Sequence, residues 1–140
     1  MFIVFNVAFS SNYQVIYYQK AATLICNQMQ NELHIVASAV TPANPTQLAK
    51  LLFTDANIES STLVNLESLK APKSEANLVN SAYAAGTAVI LDERQLATYI
   101  LQNNIGKEMF ATSSLAVSAH NLRVYLNELN LTVCSYGQLP

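Results

Sequence analysis

Eight apolar residues recur at steps of three or four along the first third of this 140-residue chain: Val15, Tyr18, Ala22, Ile25, Met29, Leu33, Val36 and Val40. Their mean step of about 3.6 residues is the period of an α-helix, so the stretch lays one apolar stripe against a neighbour. Lys20, Asn27, Asn31, His34 and Ser38 form a polar stripe on another face. The spacing predicts a helix over residues 12–40, about 43 Å long at 1.5 Å per residue. That is more than a globule of this size needs, so the helix either projects from the body or breaks near Ser10, Ser11 and Asn12. Thr41-Pro42-Ala43-Asn44-Pro45 ends it, because proline disfavours helical geometry in the residue before it.

Shorter elements follow. Asn44 with Pro45 opens a helix to about Phe53, and Ser60 or Ser61 opens another to about Leu69. Ser74 starts a third that stops at Gly86, and Thr87 to Leu91 reads as a strand. Asp92 with Gln95 resembles a capping box for a helix to about Asn103, before Gly106. Ser113 opens the last helix, with Leu115, Ala119, Leu122, Leu126 and Leu129 on one stripe. Met1 to Phe9 and Leu131 to Tyr136 have the apolar, β-rich content of buried strands. The fold class expected is mainly α: one compact helical domain over residues 1–140. It comprises an apolar N-terminal segment (1–11), a long helix (12–40) and a helical body (45–140). A small sheet made from the short strands, hence α+β, is the alternative.

Composition narrows the function. The charged fraction is 11% and the net charge −2, while 51% of residues are hydrophobic. Disorder is excluded by that apolar content, and the charge leaves no electrostatic footprint for nucleic acid. Neutral amides, 14 Asn and 8 Gln, outnumber the 16 charged residues. Such a surface stays wet without repelling copies of itself, although codon bias toward Asn gives the same composition. Only Gly86, Gly106 and Gly137 are glycines. Phosphate-cradling loops and the nucleophile elbow need closely spaced glycines and are excluded, so no cofactor is expected. The apolar run at 1–9 is shorter than the roughly 20 residues of a membrane span and lacks the basic start of a signal peptide.

Few side chains point to chemistry. Cys26 lies near the first apolar stripe, where a buried thiol is the default reading, and Cys134 lies in the closing strand candidate. In an oxidising compartment these two can pair only with each other within one chain. His34 and His120 fall on polar faces, and a Cys–His dyad would lack a third orienting group. No metal-ligand spacing occurs, and residues 55–59 fail as a calcium loop. No catalytic, cofactor or metal residue is therefore assigned. Tyr13, Tyr17 and Tyr18 gather beside Phe2, Phe5 and Phe9 as a candidate interface, or as a local staple of the first segment on the helix.

Pro45 to Lys70, with Thr46-Gln47-Leu48-Ala49 and Ser60-Ser61-Thr62-Leu63-Val64, resembles the helix-turn-helix of winged-helix repressors of the MarR type. The resemblance implies a DNA-binding regulator or adaptor working as a dimer. Glu59 and Glu67 stand where a recognition helix wants cations, and no basic wing follows. The leading expectation is instead a non-enzymatic structural or assembly subunit of a surface appendage, secretion apparatus or virus particle. Its partners would be copies of itself or other subunits, and the cell envelope, extracellular space or virion is favoured over the cytoplasm. An enzyme using a Cys or acidic pair assembled by folding is the third reading.

Overall fold

A computed structural model describes the backbone of residues 2–137 and the side chains of residues 12–137. Four helices make up the body of the described residues: α1 (Phe2–Ala39), α2 (Pro45–Glu67), α3 (Ala76–Leu101) and α4 (Ile105–Glu128). Single 3₁₀ turns at Lys73–Glu75 and Thr132–Cys134 punctuate the connections. There is no strand among the described residues, so the sheet alternative falls and the fold is all-helical.

Each strand-like segment yields to the helix around it. Residues 2–9 belong to α1, which starts at Phe2 rather than residue 12. Thr87–Leu91 lies inside α3, because Val79, Ala82, Gly86, Val89, Ile90, Glu93, Leu96, Ala97 and Ile100 form one continuous buried stripe. A local β-branched preference loses to packing over seven turns. Leu131–Tyr136 is a 3₁₀ turn followed by extended chain. The two helices expected over 45–69 are one. Thr54 and Thr62 return their hydroxyls to the Lys50 and Ile58 carbonyls at 2.9 Å, so neither interrupts the helix. Helix-turn-helix geometry needs a turn inside 45–70, and α2 runs through it.

The termini show what the amides do. Asn44 accepts from the Gln47 N–H at 2.9 Å, while the Gln47 side chain accepts from the Ala43 N–H, and Pro45 sits at the first helical position. Asn104 caps α4 in the same way through the Lys107 N–H. At the other ends, Asn103 and Asn130 adopt φ of 52° and 56°. The paired bonds Asn104 N–H to Tyr99 O and Asn103 N–H to Ile100 O close a Schellman motif after α3. Leu131 N–H to Leu126 O and Asn130 N–H to Asn127 O repeat it after α4. Asparagine thus does the work of glycine in a chain that has three.

Neighbours in sequence are neighbours in space. Asn57 meets Arg94 and Leu66 meets Tyr83 across α2 and α3, while Asp92 takes the Ser114 and Ser118 hydroxyls across α3 and α4, so successive helices run antiparallel. The backbone of α1 approaches α2 and the C-terminal segment and, among the described residues, neither α3 nor α4. The space between α1 and α4 is filled by the segment itself. Leu129, Leu131, Cys134 and Tyr136 are all buried there. Gln19 donates to the Leu129 carbonyl at 3.0 Å, and Gln30 spends both amide hydrogens on the Val133 and Ser135 carbonyls at 2.9 and 2.8 Å. A disulfide between Cys26 and Cys134 fixes the contact. Gly86, expected to stop a helix, lies mid-α3, because a Cβ there would run into the Tyr136 hydroxyl.

The left-handed residue after α4 sets the direction of this segment. Asn130→Ala should lower the unfolding free energy by about 1 kcal/mol, whereas Asn130→Gly should leave it unchanged or raise it, as read by urea denaturation.

Candidate functional site

The predicted interface cluster divides on folding. Tyr18 is buried, and its hydroxyl donates to Tyr83, whose own proton goes to the Leu66 carbonyl, at 2.7 and 2.8 Å. Burial raises the phenol pKa of Tyr18 above its ordinary value despite the Tyr83 bond. Tyr13 and Tyr17 point outward and stack with ring centroids 6.5 Å apart. Phe2, Phe5 and Phe9 lie outside the residues whose side chains are described. Cys26 and Cys134 are bonded, so neither offers a thiolate, and His34 and His120 are exposed. The Cys–His dyads therefore do not form.

The structure instead places a carboxyl pair in the core. Glu59 of α2 and Glu93 of α3 are 2% and 3% exposed and face one another. One oxygen of each has no partner, and Asp55, a turn before Glu59, has another. Both carboxyls titrate well above the ordinary range. Desolvation is the largest cause for each; Glu93 further raises Glu59, and Asp55 raises both. Burial lifts Asp55 to about 6. Arg94 pulls Glu93 downward, but its guanidinium bonds Asn57 at 3.2 Å and does not neutralise the pair.

Two carboxyls in contact can share protons, which is the chemistry of a general acid paired with a base. Catalysis needs substrate access as well. The open cleft of about 520 Å³ between Pro42–Pro45 and Ile100–Thr112, and that of about 230 Å³ between Tyr13–Ala21 and Leu69–Lys73, are lined by neither Glu59 nor Glu93. Among the described residues no cluster of His, Cys, Asp or Glu has the makings of a metal site.

Sequence reading missed the pair because it broke α2 at Phe53. Read as one helix, Leu52, Ala56, Glu59, Leu63 and Leu66 step by 4, 3, 4 and 3, and Glu59 stands in an otherwise apolar stripe. Asp92 was misplaced for the same reason: it sits mid-α3 and accepts from Ser114 and Ser118 at 3.1 and 2.6 Å instead of opening a helix.

No protein-family model, curated protein or solved structure matches this chain.

A glutamate whose folded pKa is raised stabilises the fold fully below its unfolded value near 4.5, and that contribution is lost as pH climbs through the folded value. Stability should therefore fall steadily from about pH 4 into the alkaline range. Glu59→Gln should raise it by about 1–3 kcal/mol at pH 8 and change it little at pH 4, measured by urea unfolding at both values.

Proposed function

We propose that this protein is a non-enzymatic assembly subunit that binds copies of itself through the outward faces of α1 and α4. The observation that carries the reading is that both helices expose large apolar side chains away from the core, on α1 alongside the polar stripe of Lys20, Asn31 and Ser38. On α1, Tyr18, Ala22, Cys26 and Met29 face the core. Tyr13, Tyr17, Leu24 and Ile35 lie about 200° around the helix at 100° per residue. All four are exposed, Leu24 by 72%. On α4 the core stripe is Ala111, Leu115, Ala119, Leu122 and Leu126, and Phe110, Val117 and Val124 repeat every seven residues on the far side. Phe110 is 74% exposed. Large apolar side chains gathered on an exposed face mark a contact surface.

The low charge supports copies as the occupants, since 16 charged residues and a net charge of −2 give little mutual repulsion. Two different faces favour heterologous contact, α1 of one copy on α4 of the next, which propagates into a ring or filament. The disulfide supports an oxidising location such as the envelope, the extracellular space or a virion. No helix among the described residues is long and apolar enough to cross a membrane.

Leu24→Glu and Val117→Glu alter exposed side chains and should leave the helical signal intact. Light scattering should show a concentration-dependent assembly for the native chain and a 15.3 kDa monomer for either variant. Mixed together, the two variants should form heterodimers, because each retains one intact face. A native chain that stays monomeric at millimolar concentration, or variants that assemble like it, would remove the reading.

A further inference from the structure

The C-terminal segment fills only part of the groove it enters. The Tyr136 ring lies against Gly86 of α3 and beside Leu122 of α4. A Cβ on Gly137 would run into Val89 of α3 and touch Leu115 and Ala119 of α4, so the bare backbone packs there. The same two stripes run on past it. Leu96 and Ile100 continue the α3 stripe, Thr112 and Glu108 continue that of α4, and Leu48 and Leu52 of α2 make the third side. Together they line the open cleft of about 520 Å³, which the α1–α2 connection bounds through Pro42 and Pro45. The cleft is thus the unfilled end of a groove whose other end already holds extended polypeptide.

The way the filled end is held shows what the open end would take. Gln19 and Gln30 donate side-chain amide hydrogens to the Leu129, Val133 and Ser135 carbonyls, while the side chains of Leu131, Cys134 and Tyr136 are buried. The cleft has the same parts. Leu52, Leu96 and Ile100 are buried and give it an apolar floor. Asn44 spends its side-chain oxygen on the Gln47 N–H, which leaves its amide hydrogens for a carbonyl, and Asn103 brings a second amide to the rim. A charge is added. Glu108 is the one charged residue among the described residues that line the cleft. Its neighbour Lys107 is drawn instead over the Tyr99 ring, 5.5 Å from the centroid, and the Thr112 hydroxyl goes to the Glu108 backbone carbonyl at 2.9 Å.

We propose that this cleft binds an extended peptide of a partner protein, with apolar side chains on its floor and a lysine or arginine paired with Glu108. Its volume falls in the range of ligand sites, about 300–1,000 Å³, and a preformed apolar floor with a few polar groups at the rim is how such sites are commonly built. An acidic peptide would meet Glu108 with like charge, so the carboxylate selects for basic sequence. The prolines and the helix ends fixed by Asn44 and Asn103 hold the cleft open beforehand, which keeps the cost of ordering it small.

Titration of the full oxidised chain with a capped pentapeptide of glycine, leucine, leucine, lysine and glycine, followed by two-dimensional NMR, tests the site. Saturable shifts should map to the amides of residues 44–52, 96–103 and 108–112. The same peptide with glutamate in place of lysine should bind about fivefold more weakly or worse, the worth of a partly exposed ion pair. Glu108→Gln should remove that preference and leave the pattern of shifts in place. Thr112→Trp, which fills the cleft from α4, should abolish binding of both peptides. The comparison of the two peptides needs no variant, so the test stands even where a substitution unfolds the chain. No saturable shift at millimolar peptide, equal affinity of the native chain for both peptides, or shifts centred elsewhere each overturns the proposal. So does binding confined to a chain ending at Gly137, which would assign the cleft to residues 138–140 of the chain itself.

Discussion

The insertion of residues 129–137 between α1 and α4, locked by the Cys26–Cys134 disulfide, is the contact on which the rest of this fold depends. Without it α1 would keep only α2, the Lys73–Glu75 turn and the Tyr18–Tyr83 bond to α3, and the bundle would stand open between α1 and α4. The bond joins positions 108 residues apart with Cα atoms 4.9 Å from each other. In the chain-entropy model, closing so long a loop in the unfolded state is worth about 4–5 kcal/mol, comparable with the whole stability of many domains. Gly86 and Gly137 are explained by the same event. Each clears room where the segment passes, one in the middle of a helix, where glycine ordinarily costs about 1 kcal/mol relative to alanine.

Buried polar groups fall into two sets with opposite consequences. Tyr18, Tyr83 and the Leu66 carbonyl form a satisfied chain, as do Asp92, Ser114 and Ser118, and these fix the register of the helices they join. Glu59 and Glu93 each keep one buried oxygen without a partner. A pair of leucines there would be more stable at neutral pH. What the carboxyls add is a dependence on protons, which apolar packing cannot supply, and it runs toward acid stability while most proteins are stablest nearer neutrality.

Much of the architecture was legible in the sequence. The core stripe of α1 at Tyr18, Ala22 and Met29, the stripe of α4 from Leu115 to Leu129, and the Asn44–Pro45 start of α2 all follow from spacing and capping chemistry. The misreadings share one cause. Gly86, Thr87–Leu91 and Asp55–Asn57 carry local stop or strand preferences, and each is overruled by a buried stripe that continues on both sides. Residues 60–70 gave a helix but no hint that it joined the one before, which hid Glu59. Tyr13 and Tyr17 were legible as a candidate interface, whereas Leu24 on α1 and Phe110 and Val117 on α4 fall outside the one period that was read. How the C-terminal segment threads the bundle has no local signature at all. It depends on which space the helices leave.

Hydrogen exchange of the native chain before and after reduction of its disulfide tests the central claim most directly. If the clamped segment holds α1 to the body, reduction should strip protection from residues 12–39 and 129–137 together while α2, α3 and α4 retain theirs. Full protection of α1 after the segment has been released would contradict it.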